Sequence, residues 1–299
     1  NLSAVQLLLN KKNQLLTGLS LITIILTTIN LFSTQNAESK SQNPLFIGFQ
    51  IISSSQGITL YQKDSDYLQV IDLTKGAKIN FIYGNITELG DKKGAYGGND
   101  PQFERQTISQ VWSNLSSVTS SLFCINNGQF FRNDKNSSTA LAFPVKSDGI
   151  IVTDGYAGEI EFPHQKLMLE VWNDRALISK FQPNNLQLST APNIIVGLQE
   201  NADKGVEDQT GRTFIGIQDQ DGDRLNETIL IFTSKQATQP HATNVLKSFG
   251  ATQVIMLDGG GSTQLICQGN NYIDSPRTIP QMIAIFSGDR KSTRLNSSH

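Results

Sequence analysis

The chain has 299 residues, a formal net charge of −2, 38% hydrophobic and 17% charged residues. That balance suits a globular protein and argues against intrinsic disorder. No basic stripe with interleaved aromatics is present, so nucleic acid is not an expected partner.

Taken in chain order, Lys11 and Lys12 precede an uncharged apolar run at residues 15–32, LLTGLSLITIILTTINLF. Positive charge followed by such a run is the layout of an export signal. At about 18 residues the run also suffices to span a bilayer as a helix. Residues 1–43 are therefore expected to be a signal peptide or membrane anchor plus linker, with Ala37 as a candidate cleavage point. The expected location is exported: periplasmic, extracellular or membrane-anchored. At the other end, residues 289–299 (DRKSTRLNSSH) resemble translated adapter sequence. This leaves 44–288 as one expected domain.

Within that domain, GITLYQK, DYLQVIDL and AKINFIY read as three strands between residues 57 and 83. Both faces of the second are mostly apolar, which fits a strand buried on two sides. A Gly-rich loop follows at 89–100, of a length that is often functional in a compact domain. Asp100 as N-cap and Pro101 at the first turn then predict a helix to about Ser116. Its apolar face is Phe103, Ile108, Val111, Trp112 and Leu115. Next, a buried strand at 122–125 runs into Asn126, Asn127 and Gly128. Asn-Gly is a turn signal. The sharper reading places the Asn127 amide at a strand end, where it can both donate to and accept from a sugar hydroxyl.

Short strands are expected from 142 to 187, with turns at Ser147-Asp148-Gly149, Asp154-Gly155 and Asn173-Asp174. A surface segment around STAPN follows, with a strand at 194–198. GRTFIGIQ (211–218) and ETILIFT (227–233) form an expected hairpin. Its turn, DQDGDRLN, has its glycine fourth and so departs from the EF-hand pattern, which needs it sixth; an acidic turn is the preferred reading. A helix is predicted at 240–250, ended by Gly250, then strands into VIMLDGGGSTQLI (254–266) and at 281–286. Many strands with two clear helices give an α+β fold class: a mixed β-sheet core with a few packed helices, in a single domain.

VIMLDGGGSTQLI carries the chemistry. Three successive glycines rarely serve a strand, because each loses backbone entropy and packs nothing. They permit close approach of another body to the backbone. Bare N–H groups beside the Ser262 and Thr263 hydroxyls suit an anionic oxygen, and Asp258 adds one carboxylate. A bulged turn without ligand is the plainer alternative. Cys124 and Cys267 each lie near a motif; they are either a disulfide or buried free thiols. With His164 and His241 they match no familiar zinc spacing, so no metal site and no cofactor are expected.

INNGQFF, GRTFIG, LDGGGST preceded by a helix and FGA, and SPRTIPQMIAI occur in the order seen in the phosphodiester glycosidase family, which this chain resembles over residues 57–286. The section containing YGGNDPQF and RQTISQVW resembles a bacterial subgroup. The resemblance implies one cleft containing Asn127 and Gly128, Arg212 and Thr213, the Asp258, Gly259, Gly260, Gly261, Ser262 and Thr263 signature, and Arg277. It implies hydrolysis of the glycosidic bond of a sugar-1-phosphodiester, with a small sugar phosphodiester or phosphorylated glycan as substrate. On that basis Arg212 and Arg277 clamp the phosphate. The Gly259, Gly260 and Gly261 amides complete the anion site, and Asp258 is general base or charge stabiliser. Asn127 positions the sugar, and Thr213 orients Arg212 or donates to substrate. Glu159 and Glu161 are candidate second carboxylates. Two alternatives stand beside this: a non-catalytic carbohydrate- or phosphoglycan-binding envelope protein, and a cation-dependent phosphodiesterase.

Overall fold

The computed structural model describes residues 48–90, 94–132 and 136–288. The export-signal or anchor segment and the adapter-like tail lie outside the described residues. Among the described residues, no helix is long and apolar enough to cross a membrane.

The fold is β-rich, which corrects the expected α+β class with a mixed sheet. The described residues form three sheets, of eleven, five and three strands. Every strand pairing in them is antiparallel. The physical reason lies in the connections. Tight turns with positive φ, at Gly57, Asp64, Asp148-Gly149 and Gln268-Gly269, reverse the chain between neighbours. Parallel pairs would instead need long crossovers.

The large sheet runs through Gln50–Ser55, Ile58–Lys63, Asp66–Asp72, Thr228–Ala237, Thr210–Gln218, Gln253–Met256, Asn193–Leu198, Lys166–Val171 and Ala176–Lys180, with Val145–Ser147 pairing Asn193–Leu198 and Ile150–Thr153 pairing Val145–Ser147 off this path. The five-stranded sheet runs Asn270–Ile273, Leu265–Cys267, Leu122–Asn127, Gln281–Phe286 and Lys78–Tyr83. One face of the large sheet, with Leu60, Ile71, Ile215, Ile231 and Ile255, packs with Phe81, Cys124, Ile283 and Ile285 of the smaller sheet. Its other face, with Leu68, Phe214, Leu230 and Phe232, shares a core with Val245 and Leu246 of the helix Gln239–Ser248. Strands buried on both faces read as continuous apolar runs, which is why ETILIFT shows no alternation. The outer face of the smaller sheet packs Ile125, Met282 and Ala284 on Ile108 and Val111 of the helix Ile108–Ser116.

That helix starts later than the sequence reading placed it. Thr107 and Gln110 form a reciprocal capping box, whose two hydrogen bonds fix the start more firmly than Asp100 and Pro101 can. Residues Gln102–Glu104 are instead a strand, and Phe103 is fully buried in it. A second departure is the short helix Pro183–Leu188, where strands were expected. Cys124 and Cys267 face each other directly across two antiparallel strands and are disulfide-bonded. In the acidic turn, Asp219, Asp221, Asp223 and Glu227 bring oxygens within 4.8 Å of one another. Each of the four accepts a backbone N–H from the same turn.

Candidate active site

The stretch 257–264 carries the chain from the large sheet, at Met256, into the smaller one, at Leu265. Three contacts fix this corner. Leu257 N–H donates to the Thr213 carbonyl (3.0 Å) and Asp258 N–H to the Gly128 carbonyl (3.0 Å). Asn127 N–H donates to the Gln264 carbonyl (3.3 Å). The corner therefore meets the strand Thr210–Gln218 at Thr213 and the end of the strand Leu122–Asn127, both distant in sequence.

The glycines have separate steric roles. Gly260 has φ +58°, a left-handed conformation that other residues rarely adopt. A Cβ on Gly259 would sit 2.5 Å from the Gly211 carbonyl oxygen, and one on Gly261 would sit 2.8 Å from the Arg277 guanidinium. The turn uses some of its own donors: Ser262 N–H bonds Gly259 O, and Thr263 N–H bonds Gly260 O. Gly259 N–H serves the Asp258 carboxylate. Of the N–H groups that the sequence reading offered for an anion cradle, those of Gly259, Ser262 and Thr263 are thus already used within the turn. The Thr263 hydroxyl is buried and has no hydrogen-bond partner.

Asp258 is the one acid of this corner, and it is held against its solvation. Burial is the largest influence and pushes its pKa up to about 6. The Ser262 hydroxyl, the Gly259 N–H, and the charges of Lys204 and Arg277 pull the other way. A carboxyl poised there is ionised at neutral pH and takes a proton just below it, which suits acid–base work.

Asn127, braced by Thr213, holds the backbone of Asp258. The Thr213 hydroxyl donates to Asn127 Oδ1 (2.7 Å), which also accepts from Gln264 N–H (3.2 Å). Asn127 Nδ2 donates to the Asp258 carbonyl (2.7 Å). Both side chains are essentially fully buried. Gly128 is buried too, its Cα so close to the Gln281 side chain that a Cβ would meet it at 1.9 Å. Arg277 reaches the turn from its own loop. Its Nη1 donates to Ser262 Oγ (3.2 Å), while Ser275 Oγ donates to the Gly261 carbonyl (2.6 Å).

Arg212 is placed differently from the expected phosphate clamp. It is 4% exposed. Its guanidinium donates to the carbonyls of Lys204 (3.0 Å), Asp208 (3.1 Å), Ala237 (3.2 Å) and Gly205, and to Gln239 Oε1 (3.4 Å). Burial lowers its pKa, and these acceptors offset that cost.

Three residues near Asp258 were missed in the sequence. Lys204 is exposed, its ammonium over the rings of Phe130 (5.2 Å) and Phe162 (5.5 Å). Tyr156 has a raised pKa, through burial first, then the charges of Glu161 and Asp258. Arg132 lies 4.1 Å over the Tyr156 ring. Of the two acids considered as partners, exposed Glu161 acts by its charge on Tyr156. Glu159 accepts from His164 N–H (2.9 Å) and pairs with Lys166 (3.8 Å). The Gly-rich loop packs against the same wall, Ala95 N–H donating to the Gly155 carbonyl (2.8 Å). No spacing rule marks Lys204 or Tyr156; only the Asp154-Gly155 turn lay close to a sequence signal.

A model of the phosphodiester glycosidase family matches residues 107–286. Among solved structures, the chain is similar to the catalytic domain of zebrafish N-acetylglucosamine-1-phosphodiester alpha-N-acetylglucosaminidase, auto-inhibited by its pro-peptide. The TM-score is 0.50 at 12% identity, over 81% of this chain and 82% of that one. It is also similar to a hypothetical protein from Synechocystis, with TM-score 0.51 at 11% identity, over 80% of this chain and 64% of that one. At these identities the likeness concerns the fold. No curated protein matches the chain.

Proposed function

Because the chain belongs to the phosphodiester glycosidase family, we propose that its Asp258 site hydrolyses the glycosidic bond of a sugar-1-phosphodiester. The products are free sugar and a phosphomonoester. The observation that carries this reading is one half-buried carboxyl, Asp258, set on a glycine turn, with Arg277 hydrogen-bonded to Ser262 of the same turn and the charge of Lys204 acting on it.

The reaction needs that combination. A phosphate ester leaves with little protonation, so a strong general acid is dispensable. What it needs is positive charge or N–H donors on the phosphate, and stabilisation of an oxocarbenium-like sugar. Arg277 and the Gly260 and Gly261 amides meet the phosphate. Ionised Asp258 either takes the proton of the attacking water or stabilises the developing positive charge. In this scheme Asn127 and Thr213 hold the Asp258 backbone, and Glu161 is the second carboxylate. An exported location, read from residues 1–43, fits a glycan substrate outside the cytoplasm.

The test is to incubate the purified protein with UDP-N-acetylglucosamine and a panel of sugar-1-phosphodiesters, with and without chelator, and to identify the products by mass. Free sugar and phosphomonoester, unchanged by chelator and lost in Asp258→Asn, are the expected result. Normal turnover by Asp258→Asn would remove Asp258 from the chemistry. Binding across the panel without turnover would favour a carbohydrate-binding protein.

A further inference from the structure

The resemblance assigned a phosphate clamp to Arg212, yet the structure uses that guanidinium elsewhere. It is buried and gives its N–H groups to main-chain carbonyls of the 204–208 loop and Ala237, and to Gln239 at the start of the helix Gln239–Ser248. A planar fork with all its bonds made to fixed acceptors holds a loop in one conformation. That loop delivers a different cation. Lys204, whose own carbonyl Arg212 holds, sets its ammonium over the Phe130 ring, two residues along the chain from the Gly128 carbonyl that accepts Asp258 N–H.

Lys204 has the features of a ligand-binding ammonium. It is exposed, so its charge is carried without desolvation. The rings of Phe130 and Phe162, at 5.2 and 5.5 Å, restrain it by cation–π attraction. Among the described residues it makes no salt bridge. Lys204 and Arg277 come from separate loops, so two cations converge beside Asp258, an arrangement that favours a negatively charged phosphodiester over a neutral glycoside. A neutral leaving group gains nothing from it.

We propose that Lys204 is the phosphate-binding cation of this site and that Arg212 is the positioning residue that holds its loop. This deepens the glycosidase reading and rests on it for the identity of the substrate.

The experiment compares the full chain with Lys204→Gln, Lys204→Arg, Arg212→Lys and the Lys204→Gln/Arg212→Lys double variant. Two substrates share one sugar: a sugar-1-phosphodiester and a neutral nitrophenyl glycoside. Lys204→Gln should lose on the order of 10²-fold in kcat/KM on the phosphodiester, the usual effect of removing one preorganised charge partner. At pH 8.5, where Asp258 is ionised with or without Lys204, turnover of the neutral glycoside should fall at least tenfold less than turnover of the phosphodiester, and Lys204→Arg should recover most of the loss. Arg212→Lys should lower the ratio of phosphodiester to neutral turnover, with no further fall in the double variant. A purely structural Arg212 would lower both substrates together, and that overturns its positioning role. Equal losses on both substrates in Lys204→Gln, or none, overturn the assignment of Lys204. Calorimetric titration with inorganic phosphate separates the two readings. If no sugar phosphodiester is turned over, phosphate binding by wild type that disappears in Lys204→Gln still supports the cation assignment. Equal phosphate affinity in both overturns it.

Discussion

Replacing Asp258 by Asn should make the protein more stable at neutral pH while abolishing its activity. Burial pushes the Asp258 pKa from 3.8 up to about 6. The folded state therefore binds this proton more tightly than the unfolded chain does. The stability gained from it is complete below about pH 3.8, falls across the window up to about pH 6, and is absent above. Asp258 keeps part of its solvent exposure, so at pH 7.5 the ionised carboxylate costs the fold up to about 3 kcal/mol relative to a neutral group. The asparagine side chain has similar volume and no charge at any pH. For a domain of this size, up to about 3 kcal/mol corresponds to a rise in Tm of at most roughly 6–12 °C. Thermal melts of wild type and Asp258→Asn at pH 7.5, 6.0 and 4.5 measure it. The gap should be largest at pH 7.5 and shrink toward pH 4.5. An Asp258→Asn variant that melts at or below wild type at pH 7.5, or a gap independent of pH, would refute the claim that Asp258 is held against its solvation.

Three further outcomes follow from the same geometry. The acid limb of kcat/KM should have an apparent pKa near 6, because Asp258 must be ionised to act; a limb near 4 would point to a solvated carboxylate instead. Asn127→Ala strands the Thr213 hydroxyl, Gln264 N–H and the Asp258 carbonyl inside the protein. It should cost about 2 to 4 kcal/mol in urea unfolding and lower kcat, and a change within error would show that the network is dispensable. Reducing the Cys124–Cys267 bond, or replacing both residues by Ala, opens a link across 143 residues of sequence. The stability lost should approach about 5 kcal/mol on loop entropy alone, read from the denaturation midpoint with and without reductant.

The sequence showed some of this molecule and concealed the rest for definable reasons. The Asp258–Thr263 corner was legible because a carboxylate, three glycines and two hydroxyls in a row serve neither a strand nor a helix. The hairpin of Thr210–Gln218 with Thr228–Ala237 was legible from two β-branched runs around an acidic turn. The β-rich architecture was less so. Strands such as Thr228–Ala237 are buried on both faces, and without alternation they give no count of sheets. Phe103 fitted a helical face by spacing, while the Thr107 and Gln110 pattern that starts the helix went unused. Arg212 illustrates the harder limit. An arginine on a strand looks like an anion clamp until its acceptors are known, and these are carbonyls contributed by a loop and a neighbouring strand. Lys204 gave no local signal, because what orients it comes from Phe130 and Phe162, distant in sequence.

The most direct test of the central claim locates the broken bond. Wild-type protein would turn over a sugar-1-phosphodiester in ¹⁸O-labelled water, with mass analysis of both products at short times. Attack at the anomeric carbon predicts label in the released sugar and none in the phosphomonoester. Label in the phosphomonoester would show cleavage at phosphorus and contradict glycosidase chemistry at Asp258.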